Sequence, residues 1–176
     1  MRPARTSLVV FLSSQVSTVV GFIATFYIAR FLGPASLGMY AVITAMLYWL
    51  HVPASAIDSA VTKRISEGFE PGKFLTAGFA MNAGLAVLVA LGTLLFDQQV
   101  NAYVGAPISG TVVFLVVSWF AARAVAAALH GQNKVAASSI VWTSGRVVRT
   151  TAQIALTLLV SLELAGLVWG HTISFV

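Results

Sequence analysis

Three arginines of this sequence lie inside apolar stretches, where a permanent charge is costly: Arg123, Arg146 and Arg149. A guanidinium group presents a planar fork of N–H donors, and this geometry suits the oxygens of a phosphate. No acid lies within four residues of Arg146 or Arg149, so neither has an ion-pair partner in its own segment. We expect these unpaired charges to line a polar cavity that binds an anion. The alternative is that the long side chains extend along their helices to a polar interface.

Polar residues recur at spacings of three and four in the same stretches, which places each set on one face of a helix. One set includes Arg146 and Arg149, a second includes Tyr48 and His51, and a third runs from Ser14 to Thr25 in the first stretch. We expect the three faces to border a shared cavity. The predicted substrate-binding residues are Arg149, Arg146, Arg123, Gln153, His51 and Tyr48.

The composition indicates which kind of protein must position these residues. Of the 176 residues, 59% are hydrophobic and only 9% are charged. An ordinary soluble domain is about 25% charged, and so few charges cannot cover a soluble globule of this size. A soluble enzyme, a disordered chain and, since there is no cysteine, a disulfide scaffold are excluded. The chain is predicted to be an integral membrane protein. Its net charge of +5 forms no basic patch with interleaved aromatic residues, so we expect no nucleic-acid partner.

Six apolar segments divide the chain. A membrane-spanning helix needs about 20 mostly apolar residues to cross a hydrocarbon core of about 30 Å. Five segments reach this length and the sixth does not. The predicted helices are 8–31, 36–60, 75–96, 111–129, 139–160 and the incomplete 162–176. We therefore predict an all-α fold, a polytopic transmembrane helix bundle in which residues 1–176 form one N-terminal unit.

The polar faces also have a simpler interpretation in such a bundle. Small and hydroxylated residues allow membrane helices to approach closely and to hydrogen-bond across their interface. The residues to which this applies are Ser14, Ser17, Thr18, Gly21, Thr25, Gly166 and Gly170. For His51 the alternative is a structural hydrogen bond. Asp58, on the same face, lies close enough to the end of its segment to be solvated.

The sixth segment is short for a membrane crossing. Its 15 residues reach about 22 Å at about 1.5 Å per residue. It ends on Phe175 and Val176 with no polar flank. We expect the chain to be the N-terminal part of a longer protein that ends here inside its sixth helix. The alternative is a re-entrant or tilted C-terminal helix.

Lys and Arg residues in the gaps predict the orientation of the bundle. Six of them lie on one side of the predicted membrane, and Arg30 alone lies near the other side. The six are Arg2, Arg5, Lys63, Arg64, Lys73 and Lys134. Basic residues are enriched in cytoplasmic loops. We therefore expect a multi-pass protein of the cell membrane with a cytoplasmic N-terminus.

Three stretches of the chain, taken in order, resemble a known family. They are Ala29-Arg30-Phe31-Leu32-Gly33-Pro34 with Gly38 and Tyr40-Ala41; Asp58 to Gly68; and Leu129 to Lys134 with Arg146 and Arg149. Together they resemble the Wzx-like polysaccharide flippases, which belong to the multidrug/oligosaccharidyl-lipid/polysaccharide exporter (MATE-like) superfamily. The resemblance covers essentially the whole chain.

The resemblance implies a function beyond what the residues indicate. Members of this family have two helical bundles related by pseudo-symmetry, and they move a lipid-linked oligosaccharide across the membrane by alternating access. The chain then corresponds to the first bundle of a flippase for surface polysaccharide biosynthesis. The implied partners are a pyrophosphate-bearing, lipid-linked oligosaccharide, the membrane lipids and a missing C-terminal bundle of the same chain. No catalytic residue, cofactor or metal site is implied.

Two other functions stay open at this point. Ion-coupled drug exporters of the same superfamily are expected to carry an acid in the first membrane helix, and residues 8–31 contain none. A membrane enzyme acting on lipid-linked sugars needs clustered acids for a metal, or a His/Asp or Ser/His constellation at an interface. His51, Ser55 and Asp58 share a face, but no second acidic cluster joins them. We therefore expect the protein not to be an enzyme.

Overall fold

The fold consists of helices joined by short connections. The computed structural model describes residues 3–68, 70–159 and 162–175. These residues form seven α-helices and no strand. The helices are α1 (Pro3–Tyr27), α2 (Gly33–Ser66), α3 (Pro71–Leu95), α4 (Asp97–Val104), α5 (Ser109–Gly131), α6 (Val135–Leu159) and α7 (Glu163–Ile173). The predicted all-α membrane helix bundle is confirmed.

The helix ends differ from the predicted segment ends mainly where polar residues continue a helix beyond its apolar part. α2 extends past the predicted Ala60 to Ser66, and its last turn carries the exposed Lys63 and Arg64. Three residues used in the predictions lie outside the described residues. They are Arg2, which supports the predicted orientation, and Val160 and Val176, which end the last two predicted segments.

Three helical stretches of the described chain are long and apolar enough to cross a membrane. The first, Thr6–Ser66, covers most of α1 and all of α2 in a run of 61 residues, and the others are α3 and α5. A run of this length reaches about 90 Å, so it suffices for two crossings. α6 is as long as α3, with 25 residues. It is less apolar than α3, because Ser, Thr and Arg residues make one of its faces polar.

A bend, and not a loop, joins α1 to α2. Residues Ile28–Leu32 form a single π-helical turn. Gly33 follows with a φ of +84°, a conformation that glycine adopts without steric cost. Pro34 lies in the first turn of α2, where its missing N–H removes no helical hydrogen bond. Gly33 and Pro34 therefore separate the two helices as the sequence predicts, but no connecting segment lies between them.

The short helix α4 is not predicted from the sequence, which indicates only a gap after the third segment. Gly105 ends α4 in the left-handed region, with a φ of +85°. The Oδ1 atom of Asn101 accepts hydrogen bonds from the N–H groups of Ile108 and Ser109, at 2.8 and 2.9 Å. N–H groups at the start of a helix have no partner within it. Asn101 therefore satisfies the start of α5 and joins α4 to it.

The helices pack in two groups. One group comprises α2, α3 and α5, and the other comprises α1, α6 and α7. α7 also contacts α5 and α2, so it joins the groups. Ile43 of α2, Leu115 of α5 and Leu167 of α7 are fully buried in the core that results. α1 packs along α6 rather than along α2, although α2 follows it directly in the chain.

Glycine allows α7 to lie directly against α6. A Cβ atom at Gly170 would lie 2.6 Å from the backbone N and 2.9 Å from the Cα of Gln153. At Gly166 the nearest atoms belong to side chains, at 3.2 to 3.3 Å. The Gly166–Gly170 pair therefore forms a packing face. This contact brings the polar residues of α7 within reach of those on α6.

Candidate substrate-binding cavity

A cavity of about 850 Å³ opens between the two helix groups. α2, α5, α6 and α7 supply most of its wall. Five of the six predicted residues border it, namely Tyr48, His51, Arg123, Arg146 and Arg149. The packing of α2, α5 and α6 therefore brings these five residues to one cavity. Their role in substrate binding stays a prediction.

Arg149 is held at this cavity by His171, a residue of α7. Its Nη1 atom lies 3.2 Å from Nε2 of His171, and Nδ1 of His171 lies 3.0 Å from the hydroxyl of Tyr40. A guanidinium has no acceptor atom, so it donates to Nε2, and the imidazole hydrogen lies on Nδ1 and is donated to Tyr40. His171 is neutral in this arrangement. Arg149 is thus positioned without being neutralised.

Gln153 lies behind the cavity wall, and not on it as its spacing predicts. Its side chain is buried, with only 2% of its surface exposed. Its Nε2 atom donates to the hydroxyl of Tyr40 and to the backbone oxygen of Leu167, both at 2.8 Å. Gln153 therefore fixes Tyr40 and ties α6 to α7. It supports the hydrogen-bond chain that holds Arg149.

Arg123 has a protein carboxylate as its partner. Its Nη2 atom lies 2.5 Å from Oδ2 of Asp58 on α2, and the two side chains are 11% and 16% exposed. Its Nη1 atom donates to Nδ1 of His51, and its guanidinium lies 4.8 Å from the ring centre of Trp119. The expectation that Arg123 carries an unpaired charge is therefore wrong. The acid that pairs with it lies on another helix, 65 residues away in the sequence.

The same ion pair reaches α3 through Asn82. The Nδ2 atom of Asn82 lies 3.4 Å from Oδ1 of Asp58 and 3.1 Å from the backbone oxygen of Gly78. Asn82 is buried, with 2% of its surface exposed. Asp58 is consequently not a solvated residue at a helix end. It is the centre of a polar cluster that connects α2, α3 and α5.

Arg146 is the most accessible of the three arginines. Its side chain is exposed, and its Nη1 atom lies 3.5 Å from the backbone oxygen of Ser17 on α1. Within the described residues, no carboxylate pairs with Arg146 or Arg149. The buried Nε atoms of Arg123 and Arg149 also lack an acceptor among these residues. The cavity wall therefore holds two uncompensated positive charges, an arrangement that suits an anion.

A second cavity, of about 700 Å³, adjoins the first along α2. The two share His51, Arg123, Ala126 and Trp142. The second cavity extends towards the end of α2 that carries Lys63. Its remaining lining residues are mostly polar: Ser55, Asp58, Ser59, Thr62, Lys63, Ser66, Ala127 and His130. Arg123 thus lies at the boundary between the two cavities, whereas Asp58 faces only the second.

Sequence reasoning missed four residues that hold the arginines: Tyr40, Asn82, Trp119 and His171. His171 and Asn82 are isolated polar residues in apolar segments, and such residues are expensive in a membrane unless they have a partner. That signal was available for both. Trp119 and Tyr40 have no such signal, because aromatic residues are common in membrane helices and at their ends.

Comparison with known proteins gives two relatives in Haloferax volcanii. The chain is 26% identical over 179 aligned residues to the probable low-salt glycan biosynthesis flippase Agl15, an alignment that covers 95% of the chain and 38% of the relative. It is 32% identical over 143 residues to the probable flippase AglR. This second alignment covers 78% of the chain and 29% of the relative. The chain is similar to flippases. It spans little more than a third of one relative and less than a third of the other.

No family model and no solved structure matches the chain. The similarity to the two relatives nevertheless extends over nearly the whole bundle. Together with its long apolar helices, it identifies a multi-pass membrane protein.

Proposed function

We propose that this bundle forms one wall of the transport pathway of a flippase, which moves a pyrophosphate-bearing, lipid-linked oligosaccharide across the cell membrane. The observation that carries this proposal is the position of Arg149, which borders the cavity and is held there by a neutral histidine. A charge of this kind is costly within a membrane, and a pyrophosphate group on the substrate offsets that cost. The relatives, both named flippases and one of them a glycan biosynthesis flippase, support the transport activity.

The cavity offers separate surfaces for the parts of such a substrate. Arg149 and Arg146 supply N–H donors for the phosphate oxygens. The exposed rings of Tyr48 and Trp142 supply flat surfaces against which a sugar ring packs. The lipid tail stays in the bilayer, alongside the apolar outer faces of the helices. No bond is made or broken in this process, so we propose a transporter and not an enzyme.

Alternating access requires a second wall. We propose that a second helical bundle faces this one, as in the MATE-like superfamily, and that the cavity is exposed to each side of the membrane in turn. The length of the relatives, which is more than twice that of this chain, supports this. In this arrangement the translocated oligosaccharide becomes part of the glycans at the cell surface.

The proposed orientation places the N-terminus and the loop after α2 in the cytoplasm. The sequence has no cysteine, so a single introduced cysteine reports its own location. Lys63→Cys is exposed at the end of α2 and should react with a membrane-impermeant maleimide only after the cells are opened. Tyr103→Cys on α4, which is also exposed, should react in intact cells. The reverse pattern contradicts the orientation.

The transport proposal is tested by Arg149→Ala in the full-length protein. We expect glycan export to fall to the level of cells that lack the gene, while the protein still accumulates in the membrane. Arg64→Ala is the matched control, because Arg64 is exposed at the end of α2 and borders neither cavity. Export is measured by complementation of a strain that lacks the flippase. Normal export by Arg149→Ala refutes the proposal.

A further inference from the structure

The ion pair between Arg123 and Asp58 lies at the boundary between the two cavities. Arg123 borders both cavities, whereas Asp58 borders only the second one. A ligand in the larger cavity therefore meets the guanidinium where the carboxylate does not line the wall. We infer that Asp58 is an internal competitor for Arg123, and that the anionic group of the substrate displaces it on binding. This inference rests on the proposed function.

The guanidinium of Arg123 is held in place by contacts other than the ion pair. The ring of Trp119 lies 4.8 Å from it, and Nδ1 of His51 accepts a hydrogen bond from Nη1. Trp119 is itself buried, with 8% of its surface exposed. These contacts keep Arg123 at the boundary when the carboxylate is displaced. Its Nε atom is buried and lacks an acceptor within the described chain, so Nη1 and Nη2 make the polar contacts of the guanidinium.

The charges favour an exchange of partners over shared binding. Asp58 carries one negative charge, whereas a pyrophosphate group carries more than one and accepts several hydrogen bonds. The ion pair is largely buried, so solvent screens little of the repulsion between the two anions. Nη1 and Nη2 of Arg123 already contact His51 and Asp58, so a second anion gains full contact with this edge of the guanidinium only by displacing a partner. The pyrophosphate therefore replaces Asp58 as the partner of Arg123, and Asp58 keeps only its contact with Asn82.

The exchange gives Asp58 a role in release. A transport site must bind its ligand strongly enough to take it up and weakly enough to let it leave. The carboxylate lowers the affinity of the site, because it must be displaced on binding and returns to Arg123 on release. The exchange also removes a link between α2, which carries Asp58, and α5, which carries Arg123. Ligand binding thus weakens a contact between two helices of the cavity wall.

The test measures the binding of inorganic pyrophosphate to the full-length protein in lipid nanodiscs, by titration calorimetry. We expect Asp58→Asn to bind pyrophosphate about fivefold to tenfold more tightly than the parent, because no carboxylate then competes for Arg123. Arg123→Gln should bind more weakly. The double variant should match Arg123→Gln alone, since Asp58 acts only through Arg123. A merely structural role for Asp58 predicts unchanged or weaker binding of pyrophosphate by Asp58→Asn.

Glu67→Gln is the matched control. Glu67 pairs with Arg64 at 3.0 Å near the end of α2, but both side chains are exposed and neither lines a cavity. We expect its affinity for pyrophosphate to equal that of the parent. Unchanged or weaker binding by Asp58→Asn overturns the inference, and so does a gain that persists when Arg123 is absent.

The outcomes separate this inference from the proposed function. If Arg149→Ala loses pyrophosphate affinity and Asp58→Asn gains none, the proposed function stands and the competition does not occur. If the parent binds pyrophosphate no better than Arg149→Ala, both the proposed function and the competition by Asp58 are refuted. Should Asp58→Asn fail to fold, an infrared difference spectrum of the parent replaces it. Addition of pyrophosphate should shift a carboxylate band in the parent and not in Arg123→Gln, and a parent spectrum without that shift overturns the inference.

Discussion

The two sides of the cavity differ in the charge of the side chain that contacts the arginine. On the side formed by α2, α3 and α5, Arg123 meets the carboxylate of Asp58, which is also close to Asn82. On the side formed by α6 and α7, Arg149 meets only the neutral His171. Both guanidinium groups are held by side chains from another helix. Among the described residues, a carboxylate offsets the charge of Arg123 but not that of Arg149.

This difference separates positioning from neutralisation. A carboxylate fixes a guanidinium and also consumes its charge, whereas a neutral imidazole fixes it and leaves the charge available. The neutral partner requires its own support, because its tautomer must be set. Tyr40 and Gln153 supply this support behind the cavity wall. Arg149, whose charge is available to a ligand, is therefore the arginine supported by the longer hydrogen-bond chain, through His171, Tyr40 and Gln153.

The largest expected effect comes from removing each arginine in turn. Arg123→Met leaves Asp58 charged and largely buried with no cation beside it and only its contact with Asn82, and we expect a loss of about 3 kcal/mol in the free energy of unfolding. Arg149→Met leaves only a neutral acceptor unsatisfied, and we expect about 1 kcal/mol. Unfolding in mixed detergent micelles measures both variants. Equal losses contradict the distinction between the two sides.

The next effect concerns the contact that brings His171 to Arg149. Gly170→Ala inserts a methyl group against the backbone of Gln153 and forces α7 away from α6. We expect a loss of about 2 kcal/mol in the free energy of unfolding. Gly166→Ala, one turn earlier, meets side-chain atoms only and should cost clearly less. The same unfolding assay ranks the two, and the opposite order shows that α7 approaches α6 elsewhere.

A smaller effect is expected on ligand binding when a histidine is replaced. His171→Phe removes the acceptor that holds Arg149, and we expect about fivefold weaker binding of pyrophosphate, which corresponds to one hydrogen bond. His51→Phe is the counterpart on the other side, where Arg123 retains Asp58. Its effect should be smaller. Equal effects measured by titration calorimetry indicate that neither histidine positions its arginine.

The smallest effect compares the buried ion pair with an exposed one. Glu67→Gln removes the pair with Arg64, in which both partners are exposed. Exposed pairs contribute little because water and salt screen them. We expect a change of about 0.3 kcal/mol in the free energy of unfolding, which disappears at high salt. A loss as large as that of Arg123→Met shows that burial does not decide the strength of these pairs.

The sequence predicts the parts of this architecture that depend on one helix at a time. Apolar runs predict the long helices, because membrane crossings need length and hydrophobicity. Helical spacing predicts that Arg146 and Arg149 share a face, because this follows from the 3.6-residue period. The short polar helix α4 escapes prediction, since eight residues carry too weak a pattern.

The partners across helices are not predicted, because they depend on which helices pack together. Asp58 and Arg123 meet since α2 lies against α5, and no spacing within either segment indicates it. The spacing of four residues between Arg149 and Gln153 places both side chains on one face of α6. The approach of α7 then covers Gln153 and leaves Arg149 at the cavity. A rotation of one helix by a fraction of a turn decides which of two neighbouring residues reaches a ligand.

The bend between α1 and α2 has a consequence for how related chains can differ in length. Each residue inserted into a continuous helix rotates everything beyond it by about 100°. Between Tyr27 and Pro34 there is no loop, and Gly33 is the residue that departs from helical geometry, so an extra residue leaves α2 little freedom to keep His51 and Asp58 against their partners. Insertions and deletions should therefore be found mainly around 67–70, 105–108 and 132–134, and should be rare between α1 and α2.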